Sequence, residues 1–227
     1  MDARIARPGM AHVVWQHLLL DLHRERKTLQ TFGPILLIGA GVVFLIYTAL
    51  GRATVSAGSY TLLFWICQLV IGVAGNNTLF NVRFEASRFY FKSRFTSNGF
   101  LFYLFSKAFL AQLVAMAGIW GCMHLFLNIG FAQAGEALIC LAGAVLISSC
   151  LVVVGAISVH TQMPGLFMAL LGTPTLLPGL LLCQGIHKRI CDDLDVWVIL
   201  QAGLPLFAFL LVYMALGLLL YPTLWKE

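Results

Sequence analysis

Two groups of side chains in this chain have the types and spacing for chemistry. The first is a block between Phe80 and Phe100, FNVRFEASRFYFKSRFTSNGF, in which Arg83, Glu85, Arg88, Lys92 and Arg94 alternate with Phe84, Phe89, Tyr90, Phe91 and Phe95. Arginine forks and aromatic anchors are what protein interfaces favour, so this block points to recognition of a partner rather than to catalysis. The second group is six histidines and six cysteines, the side chains that hold metals, haem or disulfides. What either group can do depends on the elements that carry it.

Those elements are dictated by composition. Charged residues make up 10% of the chain and hydrophobic ones 60%, against about 25% charged in soluble domains. Apolar runs of about 20 residues cross a hydrocarbon core as helices. Six are expected: 32–50, 60–79, 101–127, 137–160, 166–182 and 196–220. The alternating ten-residue segments of a β-barrel are not seen. The fold class is therefore an all-α integral membrane protein with six transmembrane helices in a single domain, 1–227.

Basic residues near span ends stay on the cytoplasmic side. Arg4, Arg7, Arg24, Arg26 and Lys27 precede the first span, Arg83 to Arg94 separate the second and third, and Lys226 follows the sixth. These three segments alternate correctly to share one face, so both termini are expected to be cytoplasmic. The opposite face receives Arg52, and Lys188 and Arg189 offset by Asp192, Asp193 and Asp195. The net charge of +5 is accounted for by anionic lipid without nucleic acid. No short apolar core follows a basic start, so a cleaved signal peptide is not expected. Residues 11–30 read as an interfacial helix with Val14, Trp15, Leu18, Leu19 and Leu22 on one stripe, an elbow leading into span one within the segment 1–31. A plain basic anchoring tail is the alternative.

On this frame His124 falls near the outer end of span three and His160 at the inner end of span four. The thickness of the membrane core lies between them, and they cannot share a metal. His12, His17 and His23 miss the i, i+4 spacing of two ligands on one helix face. Each histidine therefore reads as structural or interfacial. Cys67, Cys122, Cys140 and Cys150 are small apolar packing residues within or near spans, whereas Cys183 and Cys191 fall in or beside an outer loop, where an oxidising compartment permits a disulfide. Lys107, two turns into span three, either snorkels to the inner face or holds a partner within the bundle. In span five, Pro174 and Pro178 beside glycines are expected to kink or break the helix, as a gating element or as a static bend. There is no Walker phosphate loop, no Ser-His-Asp pattern among loops and no Cys-x-x-Cys. The chain is expected not to be an enzyme.

An amphipathic LLLDLHRERK start, Glu85 in a basic loop, Ser106-Lys107 entering span three, PTLLP with Pro174 and Pro178, and the ending YPTLWKE occur in this order. Over nearly the whole chain this series resembles the CcmB family, haem exporter protein B, and most closely its Bacteroidota-type members. One departure stands at Asn98-Gly99-Phe100, where a Ser-Pro step is expected. The resemblance implies an ABC-2-like permease subunit of the ABC-type cytochrome c maturation system, in the bacterial inner membrane. Its partners would be a cytoplasmic ATP-binding subunit (CcmA-like), a haem-handling membrane protein (CcmC-like), a small single-span subunit (CcmD-like) and a periplasmic haem chaperone (CcmE-like), with two permease copies per complex. ATP and Mg would bind the ATPase and haem the other subunits, so this chain would carry no cofactor. Hydrolysis would be transmitted to release of the haem-loaded chaperone, described earlier as haem export. Arg83, Phe84, Glu85, Arg88, Phe91, Lys92 and Arg94 would form the coupling helix, and Asp21 and Arg24 match acidic and basic positions of the elbow. For the basic loop, a helix lying on the lipid surface is the alternative. For the whole chain, the alternatives are an ABC-2-type exporter of lipid, drug or polysaccharide and a haem-binding membrane redox protein.

Overall fold

Each long apolar run folds as a helix, which satisfies its own backbone groups where no water is available to do so. The computed structural model describes residues 10–28, 32–50, 55–81, 95–127, 134–158, 161, 163–192, 194 and 196–226. Among these residues there are seven helices and no strand. They are α1 Met10–Thr28, α2 Phe32–Leu50, α3 Ala57–Asn81, α4 Ser97–Leu127, α5 Ala134–Ser158, α6 Pro164–Cys191 and α7 Val196–Lys226. Helices α3 to α7 are each long and apolar enough to cross a membrane; the apolar stretch of α2, Leu36–Ala49, is shorter. The chain is a multi-pass helical membrane protein.

Helix α5 is the axis of the bundle. Its Ala144, Leu146, Ile147, Cys150 and Leu151 are wholly buried, and it packs against α3, α4, α6 and α7. Helix α2 lies against α4 and α3, and α1 against the start of α4. Peripheral α7 exposes Leu200, Leu204, Phe207, Leu211, Leu218 and Leu219, as a lipid-facing helix must. Lipid tails are as apolar as leucine, so the helices gain little by hiding leucine and hold together through close backbone approach instead. At Gly143 of α5 the ring of Trp65 from α3 occupies the place of a side chain, and a Cβ at Gly179 of α6 would stand 2.7 Å from Leu146.

Successive helices alternate in direction, which gives the bundle two chemically distinct ends. At the near end the start of α4 meets α1 and the end of α7, through ring contacts of Phe95 with His17 and of Phe100 with Tyr221. At the far end the starts of α3 and α5 meet the ends of α4 and α6, where Tyr60 packs on His124 and His187. Local chemistry sets these termini. Ser56 accepts the Ser59 amide at 3.3 Å to cap α3, Thr96 accepts the Gly99 amide at 3.3 Å to cap α4, and Pro164 occupies the first turn of α6. Thr96 thus starts α4 without a Ser-Pro step.

Two expectations about α6 are corrected. Its apolar run stops at Leu182, but the helix continues to Cys191, because Cys183, Ile186, His187 and Ile190 recur at helical spacing and are all buried. Of the kink or break expected at Pro174 and Pro178, the break does not occur; the helix runs through both. Each proline withholds a donor from the carbonyl four residues back, that of Leu170 and that of Pro174, and side chains add hydrogen bonds to other carbonyls of the same stretch. Thr175 Oγ1 lies 2.6 Å from the Leu171 carbonyl and 3.0 Å from that of Gly172, and the Tyr213 hydroxyl of α7 donates to the Thr175 carbonyl at 3.2 Å.

Substitution Gly143→Ala is expected to force α3 and α5 apart and destabilise the fold by about 1–3 kcal/mol, the cost of overpacking a filled core. Gly121→Ala meets nothing within 4 Å and is expected to be neutral or slightly stabilising. Thermal unfolding of both variants in detergent checks the contrast.

Candidate functional site

The near end is organised by the elbow helix. On α1, Val14, Leu18 and Asp21 share one face; Val14 and Leu18 are buried, while Trp15 and Leu19, one position on from each, are exposed. The apolar stripe is therefore split, one row docking on the bundle and the other left exposed. Asp21 then reaches α4. One of its carboxylate oxygens takes an ion pair from Lys107 Nζ at 2.8 Å and a hydrogen bond from the Tyr103 hydroxyl. The Lys107 and Asp21 side chains are 15% and 21% exposed. Lys107 thus holds a partner, as a charge near the membrane core requires, since it is expensive unless a counter-charge meets it.

Beneath this pair lies an aromatic base. Phe95 is 6% exposed, with ring centroids 5.1 Å from His17 of α1, 5.9 Å from Phe100 and 5.6 Å from Tyr103. Tyr221, from the YPTLWKE ending, stands 6.2 Å from Phe100 and is buried. Phe95 closes the basic and aromatic block of the sequence and itself packs against α1 and α4. Arg83, Phe84, Glu85, Arg88, Phe91, Lys92 and Arg94 lie outside the described residues, as does the side chain of Arg24.

The far end gathers groups that spacing along the sequence does not bring together. Glu136, in the first turn of α5, accepts a hydrogen bond from Trp120 Nε1 at 3.2 Å and one from the Cys191 thiol at 3.6 Å. His124 and His187 Nε2 atoms each stand 4.0 Å from one of its two oxygens. An acid at the start of α5 and a histidine in the last turn of α4 both sit on the favourable side of the helix dipole. Tyr60, Phe64 and Trp65 wall His187 in, with ring centroids 5.6, 5.5 and 6.1 Å away. Sequence reasoning missed Glu136 and His187. The available signals were an acid opening the most apolar span and a histidine within a buried helical stripe.

The bridge between Cys183 and Cys191 is not formed. Both belong to α6, eight positions and about 12 Å apart along the axis, whereas a disulfide needs Cα atoms about 4.4–6.8 Å apart. Among the described residues none of the six cysteines is in a disulfide. Between the two ends, Gln112 Nε2 of α4 donates to Gln68 Oε1 of α3 at 2.8 Å, a buried hydrogen bond between two side-chain amides at mid-depth.

No protein-family model, no curated protein and no solved structure matches this chain.

Asp21→Asn removes the counter-charge of Lys107 and keeps the shape of the side chain. It is expected to cost about 1.5–3 kcal/mol, the range for a hydrogen bond to a charged group. The elbow should loosen and trypsin should cut faster after Arg24, Arg26 and Lys27 in detergent. The exchanged pair Asp21→Lys with Lys107→Asp should recover much of the protection; unchanged cleavage in the single variant would remove the pair's role.

Proposed function

We propose that this chain is the six-span, ABC-2-like permease subunit of an ABC-type cytochrome c maturation complex. It passes the stroke of a partner ATPase to release of a haem-loaded chaperone on the other side of the membrane. The observation that carries the reading is the near end. Helix α1 is tied to a membrane-spanning helix by Asp21, Lys107 and Tyr103, and Phe95, at the end of the basic, aromatic block, packs at the same place. A push on that block has a stiff path to follow: Phe95 bears on α1 and α4 at once, and α4 runs 31 residues to the far end.

Ordered sequence motifs supply the family, and the missing phosphate loop makes a separate engine the economical source of work. Arg83, Arg88, Lys92 and Arg94, with Phe84, Phe91 and Glu85, form the surface that this engine grips. Anchoring both termini and this block on the cytoplasmic face follows from the distribution of basic residues.

Expression with its neighbouring subunits, followed by purification in mild detergent, is expected to recover an ATPase and a haem-handling membrane protein with the chain. Substituting Arg88→Glu and Lys92→Glu together should lower the recovered ATPase about tenfold or more, since arginine anchors at interfaces carry about 2 kcal/mol or more. Undiminished recovery overturns the coupling role. An ATPase without a haem-handling partner, with cytochromes c unaffected by loss of the gene, redirects the reading to export of lipid, drug or polysaccharide.

A further inference from the structure

Among the described residues, His187 is the buried side chain that packing explains least. It is 0% exposed, yet neither ring nitrogen has a hydrogen-bond partner. An unsatisfied buried donor or acceptor costs about 1–3 kcal/mol, and native folds leave few of them without a reason. Packing alone would be served as well by phenylalanine inside this cage of Tyr60, Phe64 and Trp65.

The ring points at two other donors. A ligand atom from each of Glu136, His187 and Cys191 lies within 4.8 Å of the other two. The carboxylate oxygen stands 4.0 Å from His187 Nε2 and 3.6 Å from the Cys191 sulfur. At zinc bond lengths of about 2.0–2.3 Å, the donors of a tetrahedral ion stand about 3.3–3.7 Å apart. Contraction by up to about an ångström, within reach of side-chain rotation, closes the triad on such an ion.

We propose that Glu136, His187 and Cys191 form a binding site for a borderline divalent transition ion, Zn2+ by its ligand chemistry. One carboxylate oxygen, one imidazole and one thiolate are a mixed set that hard Mg2+ and Ca2+ do not favour and zinc accepts. Three protein donors leave the fourth tetrahedral position for water. Trp120, bonded to the other oxygen of Glu136, orients the carboxylate, as outer partners of metal ligands do. His124 stands beside that same oxygen and faces the site with Tyr60. The ion would join α5 to the end of α6, fixing the last two turns that carry His187 and Cys191. This proposal does not depend on the ATPase-coupled reading of the near end.

The test uses the full chain in mild detergent, stripped with a chelator and titrated first with Co2+ and then with Zn2+. One Co2+ per chain is expected, with a thiolate-to-cobalt charge-transfer band that Zn2+ abolishes. Cys191→Ser should remove the band and weaken Zn2+ binding about 100-fold or more, Glu136→Gln and His187→Asn should weaken it comparably, and Trp120→Phe about tenfold. Cys140→Ser should leave the band in place. If the buried His187→Asn variant fails to fold, the partly exposed Cys191→Ser decides. A folded wild-type chain that takes up no stoichiometric metal, or a band that survives Cys191→Ser, overturns the site and leaves the cluster a packing knot.

Discussion

A polar group carried into hydrocarbon must find its partner within the protein, and that requirement organises this molecule. Gln68 meets Gln112 at mid-depth, and the Thr175 and Tyr213 hydroxyls find α6 carbonyls beside Pro174 and Pro178. The strongest charges sit at the two ends. Lys107 is met by Asp21, and Glu136 by Trp120 and Cys191. On α4, Lys107 and His124 are seventeen residues apart, about 25 Å at helical rise, which approaches the thickness of a bilayer core. The polar ends are spaced as a membrane requires.

Between them the bundle is assembled by close approach. Trp65 lies on Gly143, and Leu146 with Phe209 on Gly179, so α3, α5, α6 and α7 share one set of interlocked contacts around the buried face of α5. A packed interior of this kind transmits displacement and absorbs little of it. On the proposed reading, work delivered at Phe95 and the elbow passes along α4 to the end where Glu136 and His187 sit. The near end would be the input and the far end the output of one lever.

Much of this was legible in the sequence. The helical membrane class, a helix before the first expected span and the extents of most helices follow from hydropathy and periodicity, because burial in lipid and burial on one helix face leave different patterns. The end of α6 escaped since hydropathy drops after Leu182, while the buried row Cys183, Ile186, His187 and Ile190 continues. Reading 183–195 as a loop also made a disulfide between Cys183 and Cys191 look feasible; one helix separates the two thiols. Lys107 offered two fates, and the choice rested on Asp21, 86 residues away in sequence. The same limit hid the far cluster. Glu136, His187, Cys191 and His124 come from three helices, and ligand spacing measured within a helix is blind to convergence between helices.

The central claim is that the two polar ends face opposite sides of the membrane, with the basic and aromatic block on the cytoplasmic side. Single-cysteine reporters at Ser93, within that block, and at Asp192, just beyond α6, test it with a membrane-impermeant maleimide and peptide mass spectrometry to read each site. The account predicts that Asp192→Cys is labelled on intact cells and Ser93→Cys only after permeabilisation. Labelling of Ser93→Cys on intact cells would contradict it, since no cytoplasmic engine could then reach the block.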